Sequence, residues 1–143
     1  MHLAAPVFAL AALAASGLYA EGLEDVTGHW RTVRHGALVR ITDCGDSSPC
    51  GRLAWVAPAI AEGNTHDIRN PDAALRRRPL IGVPILWGFT PDGQGWTGGH
   101  LYNPDDGKTF RAHLHLLSPR ALHVTGCLGP LCRSQVWTRA DAP

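Results

Sequence analysis

A chain of 143 residues with a formal net charge of +1 is sized for one domain, and it carries no global field that would draw it to nucleic acid or to acidic membranes. Charged residues make up 17% of it, below the roughly 25% of an average soluble protein, while Gly (16) and Pro (11) are spread along its length. That composition argues against long helices and for many turns.

The first segment stands apart. From Leu3 to Ala15 the chain is apolar, Ala-rich and uncharged, but too short to span a bilayer, which takes roughly 20 apolar residues. Leu18-Tyr19-Ala20 before Glu21 has the small-residue character of a signal-peptidase site. Residues 1–20 are therefore expected to be a signal peptide, cleaved after Gly17 or Ala20, leaving 21–143 as a single periplasmic or secreted domain that does not span the membrane. The n-region carries His2 but no Lys or Arg, and the competing reading is a buried N-terminal helix.

The mature chain opens with a polar, irregular stretch, Glu21–Thr27, and a first strand follows over Gly28–Arg34. Gly36 turns the chain into a second strand, Ala37–Thr42, with Val39 and Ile41 on one face and Arg40 on the other. A cysteine turn, Cys44–Cys50, leads to a third strand over Gly51–Val56, ended by Pro58. Residues Ala59–Asn70 show no strand pattern and have room for one helical turn. A short helix is expected next, with Asn70 as N-cap, Pro71 at the first helical position and Asp72 complementing the dipole. Arg76-Arg77-Arg78 and the breaker Pro79 close this crossover, and Leu80–Phe89 carries the chain back into the sheet. Pro91-Asp92-Gly93 reads as a turn. Further strands are expected over Gln94–Tyr102, Lys108–Leu117, Ala121–Gly126 and Arg133–Arg139, with a second cysteine turn, Cys127–Cys132, before the last.

Eight short strands joined by tight turns point to an all-β fold, a single closed antiparallel barrel with one short helix in the central crossover; a β-sandwich is the rival. Four cysteines allow three connectivities, and local bridges 44–50 and 127–132 are the simplest. A four-thiolate zinc site is the competing reading, disfavoured by the wide first spacing and an oxidising compartment. No cofactor is implied.

The Gly28-x-Trp30 of the first strand and Trp137-Thr138-Arg139 at the far end resemble the lipocalin and calycin pattern. There a first-strand Trp closes the barrel floor and an Arg from the last strand packs across it. A longer resemblance covers nearly the whole mature chain. It runs through Cys44-Gly45, Cys50-Gly51-Arg52, Asp67–Pro71, Arg76–Gly82, Trp96-x-Gly98-Gly99, Tyr102–Lys108 and Gly126–Arg139. These residues look like the bacterial secreted family called domain of unknown function 2147. The resemblance implies a small exported calycin-like barrel and leaves the biochemical role open.

Candidate binding residues are Trp30, Trp55, Trp87 and Trp96, which either line an apolar cavity or fill the core, with Arg76, Arg78 and Arg139 for an acidic head group. Pro79 holds Arg78 extended, where it meets either an anion or a local partner such as Asp67 or Asp72. His113 and His115 share the solvent face of their strand and make at most an adventitious metal site. No Gly-x-Ser-x-Gly or facing carboxylate pair suggests catalysis. The first expectation is a binder of a small apolar or amphipathic ligand in the cell envelope. The second is a filled barrel whose loop Ala59–Arg78 docks a protein partner; an envelope enzyme comes last. A cavity inside the barrel favours the first, a packed interior the second.

Overall fold

The computed structural model describes residues 22–143; the expected signal peptide lies outside the described residues. The described chain is a nine-segment antiparallel meander: β1 (Gly28–Arg31), β2 (Leu38–Asp43), β3 (Pro49–Trp55), β4 (Pro84–Trp87), β5 (Thr90–Asp92), β6 (Gly95–Asn103), β7 (Lys108–Ser118), β8 (Ala121–Leu128) and β9 (Leu131–Ala140). β1 pairs with β9, and β4 pairs with β6, which closes the sheet into a barrel of eight strands. β4 and β5 both lie along β6 and form one interrupted strand. The interruption has a local cause. Gly88 takes φ 79°, and the Phe89 ring then lies where a side chain on Gly99 would stand. Pro91 and Asp92, read from the sequence as a turn, therefore resume the pairing, and the reversal falls at Gly93-Gln94.

Up-and-down connectivity defines two ends. The floor holds the start of β1, the end of β9 and the β2–β3 and β7–β8 turns. The mouth holds the β1–β2, β6–β7 and β8–β9 turns and the long crossover from β3 to β4. Alternation sends Trp30, Val39, Ile41, Leu53, Leu86, Ala112, Leu114, Leu122, Val124 and Trp137 inward, all at most 5% exposed. Trp96 and Phe89 complete this core. The barrel interior is filled.

Several boundaries differ from expectation, each for a local reason. Glu21 lies outside the described residues, but Leu23–Val26 forms one helical turn, α1, where irregular chain was expected. The Gly22 N–H donates to the Asp25 carboxylate, and Val26 is buried with its carbonyl accepting from Trp30 Nε1 at 2.8 Å. β1 stops at Arg31 because Thr32 begins a turn closed by its N–H to the Ala37 carbonyl. β3 starts at Pro49, not Gly51; a first strand residue is where proline is tolerated. The crossover holds two helical turns, one in the stretch with room for a turn and one where the short helix is expected. These are α2 (Pro58–Ala61), with Pro at its first position, and a 3-10 turn, Ala73–Leu75. The cap of the second is Asp72, whose carboxylate accepts from the Ala74 N–H; Asn70, the expected cap, stands two residues earlier, and its Oδ1 accepts from the Asp72 N–H at 2.9 Å. The cysteines pair as 44–50 and 127–132. Cys127 and Cys132 sit opposite each other inside β8 and β9, so the second turn shrinks to Gly129-Pro130.

Candidate functional site: a groove beneath the crossover

The crossover is anchored by one buried carboxylate. Asp67 is enclosed, its side chain 0% exposed, and it accepts from four directions. The Tyr102 hydroxyl donates to Oδ1 at 2.6 Å, and Oδ2 accepts from Asn70 Nδ2 and Arg78 Nε, both at 2.9 Å. A second nitrogen of the Arg78 guanidinium also reaches Oδ2 at 2.9 Å. The backbone repeats the tie, because the Asp67 N–H donates to the Arg78 carbonyl. Burial pushes the Tyr102 phenol well above its ordinary range, and the adjacent Asp67 carboxylate pushes it the same way. The phenol therefore stays protonated as the donor. Tyr102 follows the inward Leu101 on β6 and so points to the outer wall, yet the crossover leaves it 3% exposed. Gly107 (φ 73°) locks the other side, for a side chain there would run into the Arg69 carbonyl.

Between this anchored segment and the wall made by β3, β4 and β6 lies a groove of about 440 Å³. Pro71, Leu75 and Trp87 give it apolar surface, while Arg52, Arg78 and Tyr102 border it. Trp87 stacks on His100, ring centroids 5.4 Å apart. Arg52 donates one N–H to the Gly82 carbonyl, and the rest of its fork has no partner among the described residues. A broader, open hollow of about 690 Å³ lies at the floor beside α1, but Glu24 and Asp43 on its rim disfavour an anion.

The candidate residues from the sequence fall in three places. Trp30, Trp96 and Arg139 belong to the floor. The Arg139 guanidinium lies 4.2 Å from the Trp30 ring centroid and donates to the carbonyls of Pro119, Thr27 and Asp25. Trp96 is buried core, and its Nε1 finds no acceptor among the described residues. Trp55 stands at the mouth, 38% exposed. Only Arg78 and Trp87 reach the groove, while Arg76 spends its Nε on the Asn70 carbonyl at 2.7 Å. His113 and His115 lie on the outer wall, where His115 packs on His123 of β8 and His113 meets the Thr97 hydroxyl. Among the described residues no three His, Cys, Asp or Glu side chains converge as metal ligands. Sequence reasoning missed Arg52, Leu75 and Tyr102 as wall residues. Arg52 stands in a strand pattern like any outward charge, and nothing local marks Tyr102 as covered.

A filled eight-strand meander barrel, with a first-strand Trp and a last-strand Arg stacked across its floor, is a lipocalin-like fold. Protein HP1028 of Helicobacter pylori, described as belonging to the lipocalin family, has the same fold: TM-score 0.67 and 22% identity over 80% of this chain and 82% of that one. Residues 28–139 match the family of uncharacterised proteins conserved in bacteria known as DUF2147, and the chain belongs to that family. No curated protein matches the sequence.

Proposed function

We propose that the protein binds a small amphipathic ligand with an anionic head group in the cell envelope, and that the groove beneath the crossover holds it. The groove is the observation that carries this reading. Its volume of about 440 Å³ suits a small ligand, since such pockets span roughly 300–1,000 Å³. Leu75, Pro71 and Trp87 offer surface to an acyl or similar tail. Arg52, with spare donors in a planar fork, offers a seat for a carboxylate or phosphate. Arg78 is less available, being engaged with Asp67. Buried side chains such as Trp30, Leu86 and Leu114 occupy the barrel interior, which supports a binding role on the outer wall. Residence in the periplasm or outside the cell is supported by two disulfides, which persist in oxidising compartments. No helix among the described residues is long and apolar enough to cross a membrane. This reading assigns the protein no reaction.

Titration with decanoate and decyl phosphate, followed through Trp fluorescence and calorimetry, tests it. Binding should weaken about tenfold or more in Arg52→Ala, the loss expected for a charge-assisted contact, and should disappear in Leu75→Asp. A wild-type protein that binds neither amphiphile defeats the proposal.

One observation favours a second reading, a protein-interaction module. The crossover also exposes Ile60, Ile68 and Ile81, three apolar side chains within one loop. Ile68→Asp with Ile81→Asp should then abolish partner binding while leaving amphiphile affinity unchanged.

A further inference from the structure

β9 is paired on both sides only at its end. It meets β1 through three residues, His29–Ala140, Trp30–Arg139 and Arg31–Thr138. Along β8, however, it continues to Leu131 without a register shift. Residues 131–137 therefore have a partner strand on one side alone. The β1–β2 turn does not climb beside them. It leans across the mouth, where His35 Nε2 lies 3.1 Å from Asp105 Oδ2 in the β6–β7 turn. Those two turns lie on opposite sides of the eight-strand circuit, so this contact spans the opening and holds the turn away from β9.

Hairpin geometry says which backbone groups face the empty side. The two-residue turn Gly129-Pro130 makes Leu128 and Leu131 a hydrogen-bonded pair. The next pair, Cys127 and Cys132, is then non-hydrogen-bonded, in keeping with its Cα separation of 4.0 Å. Alternation turns Arg133, Gln135 and Trp137 toward β8 and turns the N–H and C=O of Cys132, Ser134 and Val136 away from it. Thr138 continues that second series, and it is the residue that meets Arg31 on β1. Among the described residues, no backbone bond reaches Cys132, Ser134 or Val136 from another segment. All three are exposed. Of the usual protections of a free edge, this stretch has one charge, Arg133, and no proline, lysine or bulge.

We propose that this edge pairs with the same edge of a second copy, antiparallel about a two-fold axis at Ser134. In that register Ser134 faces Ser134 of the second copy, and Cys132 faces Val136. Every outward N–H and C=O of these three residues then finds a partner in each copy. The segment's single charge, Arg133, falls opposite Gln135 and not opposite itself. The disulfide between Cys127 and Cys132 holds the hairpin tip in the conformation the pairing needs. The contact is isologous and closed, so it yields dimers and not fibres.

Sedimentation velocity of the mature protein from micromolar to submillimolar concentration provides the test, with Ser134→Pro as the variant. Proline there removes an outward N–H and the hydroxyl contact with Thr125 Oγ1 at 2.8 Å, but no backbone bond of the β8–β9 ladder, whose survival far-ultraviolet circular dichroism verifies. Wild type should shift from monomer to dimer as concentration rises, and Ser134→Pro should remain monomeric. Hydrogen exchange in wild type is the second readout. The amides of Cys132, Ser134 and Val136 should slow about tenfold or more on concentration, as hydrogen-bonded amides do, while Arg133 and Gln135 stay slow throughout. A monomer at every concentration overturns the proposal and leaves the edge to a strand of another protein. A dimer that survives Ser134→Pro, or one whose three outward amides exchange freely, overturns it as well.

Discussion

Asp67 is the residue on which the crossover depends. A carboxylate with no exposure is tolerable only because Arg78 neutralises it and Tyr102 and Asn70 fill its remaining lone pairs. Asp67→Ala would strand a partly buried guanidinium and leave a buried phenol without its acceptor. We expect it to lower stability by about 3–5 kcal/mol in urea denaturation, against about 1–3 kcal/mol for Tyr102→Phe. A smaller loss for Asp67→Ala than for Tyr102→Phe would contradict the anchoring role. On the far wall, burial lowers the pKa of His123, and the neighbouring His115 lowers it further. Thr125, Ser134, His113 and Arg111 also lie on this face, with Thr125 nearest at 3.5 Å from His123 Nδ1. The sign follows from which state binds the proton. Below the ordinary histidine value of ~6.5 the unfolded chain takes it up before the folded one does, so acid favours unfolding. Stability should fall as pH drops from ~6.5 toward the lowered folded-state value, and His123→Gln should flatten that part of a melting-temperature profile. A wild-type profile flat between pH 7 and 5 would speak against it.

At the scale of elements, the interrupted strand β4–β5 and the crossover show how backbone exceptions build the groove wall. Gly88 bends the chain so that Phe89 covers Gly99, and the pair acts as one packing unit. Gly99→Val must displace the Phe89 ring. A loss of about 1–3 kcal/mol is expected, typical of overpacking, and Gly99→Val combined with Phe89→Ala should lose less than the sum of the two single losses. Denaturant titration of the single and double variants measures that coupling. The same elements mark the limit of reading by pattern. Alternation was enough to find the strand bearing Trp96 and its partner bearing Leu114, because each has one buried face. It failed at Pro91-Asp92, where two turn-forming residues were held in a strand by their neighbour β6. At Asn70 it was half sufficient: Oδ1 accepts from the Asp72 N–H as a cap would, but Nδ2 joins the Asp67 cluster with a residue far along the chain, Tyr102.

For the whole molecule, the closed sheet and the tightly filled interior shift attention outward, to the groove wall and to the free stretch of β9. The sequence by itself determined an all-β chain of short antiparallel strands, and it made local cysteine pairing the simplest of three connectivities. Those properties depend on alternation, turn residues and short-range spacing, all local in the chain. The resemblance to the calycin pattern also implied the floor contact of Trp30 with Arg139, and the guanidinium lies 4.2 Å from the ring centroid. Only the tertiary structure decided which arginines remain available. Arg76 and Arg78 look like an anion site in sequence, yet folding supplies carbonyls and a buried carboxylate that occupy them, while Arg52, unmarked in its strand, keeps spare donors. The same holds for the edge of β9. Whether a strand has a neighbour depends on where the β1–β2 turn goes, and that turn brings His35 to Asp105 across the mouth, a contact between residues 70 positions apart.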